Sequence, residues 1–84
     1  MSFDAALVRE QGVKFAIVAV KNHAVSSDAA RRQAMAAFGT HFPGVPIVLM
    51  AQDGQGRPTF WGRSDIVRFL AQVPLGALPW KRFS

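Results

Sequence analysis

The chain has 84 residues, half of them hydrophobic, and ten Lys and Arg against five Asp and Glu give a formal net charge of +5. That length predicts one domain, residues 1–84, and that composition excludes a disordered chain. The absence of cysteine excludes disulfides, thiolate metal sites and thiol catalysis, and predicts an intracellular, cytoplasmic setting.

The positive balance favours an anionic partner: nucleic acid, a phosphate-bearing ligand or an acidic protein surface. The basic residues are scattered, with no Lys/Arg block of the nucleic-acid-arm type. No apolar run reaches the ~18 residues of a membrane helix, so no membrane role is expected. The opening MSFDAALVREQ has neither a basic start nor a long apolar stretch, and no secretion signal is expected there.

In chain order, Ser2 caps a predicted helix over 3–11, with Asp4 in its first turn, Phe3 and Leu7 on one face, and Gly12 ending it. KFAIVAV sits within a first predicted strand, 13–20, apolar on both faces. SSDAARRQAMAAFG reads as a helix. Ser26 or Ser27 caps it, Asp28 favours its positive end, and Gly39 closes it. VPIVLMA is a second strand, DGQG a turn, and RPTFW a short third strand whose Pro58 marks a sheet edge. Ser64 caps a last helix in which Ile66, Phe69, Leu70 and Val73 repeat at helical spacing, and Pro74 stops it. Residues 74–84 form an apolar tail expected to pack on the domain or on a partner.

The predicted class is therefore α/β with order α-β-α-β-β-α and a small three-stranded mixed sheet packed with helices. The short turn pairs strands two and three, which leaves strand one at an edge. An apolar edge invites pairing with another chain. Residues Phe15, Ala16, Ile17, Val18, Ala19 and Val20 are thus expected to form a homodimer interface, extending the sheet to six strands.

Four of the five acids have structural roles. Asp4, Asp28 and Asp65 open predicted helices and Asp53 lies in a Gly-rich turn, so paired-carboxylate catalysis has little support. His23 and His41 lack metal-ligand spacing, and neither a metal nor a cofactor is expected. Lys21, Ser26, Ser27 and Arg31 surround the start of the second helix, beyond a strand end, and form a candidate anion site. Arg57, Trp61, Arg63, Lys81 and Arg82 form an alternative nucleic-acid-binding set, with Trp61 placed to stack a base.

The segment GVPIVLMAQDGQGRPTFWGRSDIVRFL resembles the C-terminal half of a thioredoxin-like or glutaredoxin-like domain. Pro46 matches the family's cis-proline, Gly54 its turn and Gly62 the glycine before its last helix. Asn22, His23, Ala24 and Val25 stand where the family carries redox cysteines. The resemblance thus implies a redox-dead relative used for binding. The expected function is a non-catalytic, self-associating binding module. A nucleic-acid-binding domain and a small enzyme with an anion site at the second helix are the alternatives.

Overall fold

A computed structural model describes residues 2–10 and 12–84. Segment 3–10 decides the architecture. It is not a helix but a strand, β1 (Phe3–Glu10), and Gln11, the last residue of the expected helix, lies outside the described residues. Read with a period of two, Phe3, Ala5 and Leu7 face one side of the sheet, and Ala6 and Val8 the other. Both sides meet apolar layers, and that burial overrides the helix preference of a segment rich in Ala, Leu, Arg and Glu.

A two-residue connection leads from Glu10 to β2 (Val13–Ala19), antiparallel to β1. Gly12 has φ +78°, the left-handed region that glycine enters without a Cβ clash. A 3₁₀ turn (Asn22–Val25) follows, then α1 (Asp28–Gly39), β3 (Ile47–Gln52), β4 (Pro58–Trp61) and α2 (Ser64–Leu70). A second 3₁₀ turn (Leu75–Ala77) leads into β5 (Trp80–Phe83).

The sheet has five strands in the order β4-β3-β2-β1-β5, which overturns the expected three-stranded sheet. The observed element order is β-β-α-β-β-α-β. The KFAIVAV strand is central, with Leu7 opposite Ala16 on one side and Ile47 level with Ala16 on the other. Phe15, Ala16, Ile17 and Val18 are at most 1% exposed. Its apolar character is satisfied by its own chain on both edges, so the six-stranded sheet expected to form through residues 15–20 has no free edge to form on.

The β2–β3 pair is parallel and is joined through α1, whereas β3–β4 is an antiparallel hairpin. The sheet edges are β4, which begins at Pro58, and β5, which carries Lys81 and Arg82. Both are four residues long. Short strands, proline and charge discourage edge-to-edge pairing.

Two apolar layers flank the sheet. On one face α1 supplies Ala34, Met35 and Phe38, which pack with Phe42 against Phe3, Ala5, Ala16, Val18 and Leu49. Phe3 stacks on Phe83 and meets Phe38 and Phe42 edge-on, tying β1 and β5 to the end of α1. On the other face Ile66, Leu70 and Leu78 cover Ala6, Phe15, Ile17, Val48 and Met50. The 74–84 segment belongs to this layer and to the sheet. Trp80 donates from Nε1 to the Leu75 carbonyl at 2.9 Å, and β5 pairs with β1.

Ser27 caps α1, accepting the Ala30 N–H at 3.1 Å, while Ser26 donates to the His23 carbonyl. The cap position of α2 is Arg63, with no side-chain cap bond, so Ser64 opens the helix without capping it. Gly39 is the last residue of α1, and the right-handed Thr40 takes the cap position instead.

Candidate functional site

The four aspartates are each tied to a nearby arginine: Asp4 to Arg82, Asp28 to Arg31, Asp53 to Arg57 and Asp65 to Arg63. These pairs are local neutralisation on exposed surfaces, where each is worth little. Among the described residues six cations have no ion-pair partner: Arg9, Lys14, Lys21, Arg32, Arg68 and Lys81. Among the described residues the acid without an ion-pair partner is Glu10.

Three of the six cations share one surface. Arg9 lies opposite Lys14 in the β1–β2 ladder, and Lys81 lies opposite Ala5 in the β1–β5 ladder. Directly opposed residues project to the same side of a sheet. Counting in twos along β1, Ala5, Leu7 and Arg9 share that side. It is the α1 side, but α1 and Phe42 cover only its far part, around Phe3, Ala5 and Ala16. The hairpin end stays open, with Arg9 and Lys14 exposed; Lys81 is exposed on the edge strand at the level of Ala5, and Leu7, at 39%, is the one large hydrophobic left exposed among the described residues. Glu10 is on the reverse face, opposite Val13, beside Phe15, Ile66 and Phe69. No acid of the described strands offsets the three cations. Next to them Ala5, Leu7, Pro79, Lys81 and Phe83 line a cleft of about 230 Å³.

The sequence reading missed Arg9 and Lys14 because it placed residues 3–11 on a helix, where Arg9 is one solvated side chain among others. A period of two through Phe3, Ala5 and Leu7 would have put Arg9 on their side, but Ala6 and Val8 break the apolar–polar alternation, so the segment carried no decisive signal.

The expected anion site is not gathered into one place. The Ser26 and Ser27 hydroxyls hold the turn and the helix cap. Arg31 donates to the Val25 carbonyl at 2.8 Å and to Asp28, and its guanidinium lies 5.9 Å from the Trp61 ring centre. Lys21 sits apart in a cleft with His23, Phe38 and Arg82.

The nucleic-acid set is also divided. Arg57 is bound to Asp53 in the β3–β4 turn. Trp61 and Arg63 lie with Arg31, Arg32 and Met35 along a groove of about 540 Å³ between α1 and β4. Lys81 and Arg82 are on β5 at the opposite sheet edge, roughly 19 Å away at the usual strand spacing. They point to opposite faces, Lys81 beside Leu7 and Arg82 to Asp4.

The turn and the α2 entrance hold acids whose titration is shifted by their neighbours. The Arg57 and Gln55 backbone N–H groups, with the Arg57 side chain, hold the Asp53 carboxyl below its ordinary range. The Arg63 guanidinium does the same for Asp65 and is itself raised by that bond. Among the described residues no group of three or more acidic, histidine or cysteine side chains is arranged to hold a metal, and no helix is long and apolar enough to cross a membrane.

No family model matches the chain, and neither does any curated protein or solved structure compared with it. Two points bear on the thioredoxin-like resemblance. Among the described residues no peptide bond is cis, so Val45–Pro46 is trans. β3, which follows Pro46, runs parallel to β2, which precedes Asn22–Val25, whereas the resemblance implies an antiparallel pair.

Proposed function

We propose that this chain is a non-catalytic binding module that holds an anionic partner on the open face formed by Arg9, Lys14 and Lys81. The observation that carries the reading is the direct opposition of Arg9 and Lys14 on a side of the sheet to which no acid of the described strands projects. Like charges facing each other across a ladder oppose pairing, and a bound anion removes that repulsion.

The test is binding of labelled oligo-dT and of labelled poly-glutamate by anisotropy across a salt series. Binding that weakens as salt rises, and that is lost in the Arg9→Ala/Lys14→Ala/Lys81→Ala variant, supports the reading. Equal binding by that variant, or no binding of either polyanion at low salt, overturns it.

A second reading is a single nucleic-acid strand in the α1–β4 groove. It is favoured by the half-buried Trp61 with Arg31 over its ring and Arg32 and Arg63 beside it. Aromatic and guanidinium faces stack bases without sequence preference. Loss of oligo-dT binding in Trp61→Ala, with full binding in the triple variant, would place the ligand there.

A further inference from the structure

The open face carries a pattern as well as a charge. Along β1 the surface reads Lys81 at the level of Ala5, then Leu7, then the Arg9–Lys14 pair. Successive same-face positions on a strand are roughly 6.7 Å apart, so the two charged levels are separated by roughly 13 Å with an apolar level midway. The cleft lined by Ala5, Leu7, Pro79, Lys81 and Phe83 runs between β1 and β5 from the Phe3–Phe83 level, past Lys81, and ends at Leu7.

The geometry points to an extended peptide of the form acid-x-apolar-x-acid as the occupant, laid along β1 with its apolar side chain over Leu7, at that end of the cleft. This rests on the anionic-partner reading above and names the class of partner. An extended peptide repeats its same-face side chains at the same spacing as the strand below it, so both carboxylates meet cations while the central side chain meets Leu7. A nucleic-acid strand carries a charge at every backbone step. One phosphate would then rest on Leu7, and the cleft would stay unfilled.

The experiment uses two labelled peptides of one composition. In the first, Glu-Ser-Leu-Ser-Glu forms the core; in the second, the leucine is moved by one position so that it falls on the opposite face from the acids. Oligo-dT is the third probe. The expected result is that the first peptide binds about tenfold more tightly than the second. Leu7→Ser should remove that preference and leave the salt dependence. Arg9→Glu should abolish binding of the first peptide; this variant sets opposite charges across the ladder and so keeps the hairpin paired. Equal affinity for the two peptides overturns the pattern and leaves the anionic-partner reading standing. Binding of oligo-dT alone, lost with Arg9, Lys14 and Lys81, also overturns the peptide while keeping that reading. Failure of all three probes removes both.

Discussion

Arg9 and Lys14 stand directly opposite each other in the β1–β2 ladder, two exposed cations on one side of the sheet. Neither has an ion-pair partner among the described residues. Sheet pairs of like charge cost stability, typically by a few tenths of a kcal/mol. Arg9→Glu is therefore expected to stabilise the free protein by about 0.5 kcal/mol, raising Tm by roughly 2–4 °C. Thermal unfolding by circular dichroism checks this, and an unchanged or lower Tm would show that the opposition is not costly.

Phe3 joins three elements. It is 7% exposed and touches the rings of Phe38, Phe42, Phe83 and His41. Phe3→Ala should cost about 3–5 kcal/mol, the usual range for deleting a buried aromatic. In a domain this small that is a large fraction of the total stability. Urea titration should show the loss. A cost under 1 kcal/mol would mean that β1 is not held as described.

Two glycines near β4 should respond oppositely to alanine. A Cβ on Gly62 would lie 3.0 Å from Val48 Cγ2 and 3.2 Å from the Ile47 carbonyl oxygen. Backbone atoms cannot step aside as a side-chain end can, so Gly62→Ala should destabilise by about 1–3 kcal/mol. A Cβ on Gly54 meets nothing within 4 Å, and its φ is not in the left-handed region. Gly54→Ala should be neutral or stabilising by up to about 1 kcal/mol, through a less flexible unfolded chain. Denaturation midpoints of the two variants, measured side by side, decide the matter.

The Asp53 and Asp65 carboxyls have depressed folded-state pKa values, the first chiefly through the Arg57 N–H and the second through the Arg63 guanidinium. In the unfolded chain each returns to about 3.9. The unfolded state therefore takes up protons first as pH falls, and stability rises with pH across this window. The contribution is fully present above about pH 4 and is lost as pH drops through the folded values. Urea midpoints should decline in that acid range, and Asp53→Asn should make the decline shallower. An unchanged slope in Asp53→Asn would contradict the role assigned to the turn.

Much of the local structure was legible along the chain. Ser27 with Asp28 announced α1, Pro58 announced an edge, and the Ile66, Leu70 spacing announced α2, because caps, prolines and helical periods act within a few residues. The fate of 3–10 was not legible in the same way. FDAALVRE satisfies a helix period through Phe3 and Leu7 and a strand period through Phe3, Ala5 and Leu7, and nothing nearby chooses between them. The candidate face inherited that ambiguity, since Arg9 meets Lys14 and Lys81 only if the segment is extended.

By itself the sequence determined which stretches must be buried, where turns fall, and that the surface is cationic. Tertiary structure alone decided that β1 is a strand, that β2 is central, and which cations share a face. The physical reason is distance along the chain: Phe3 pairs with Phe83, and a ladder's hydrogen bonds and cross-strand contacts come from partners that no local window contains.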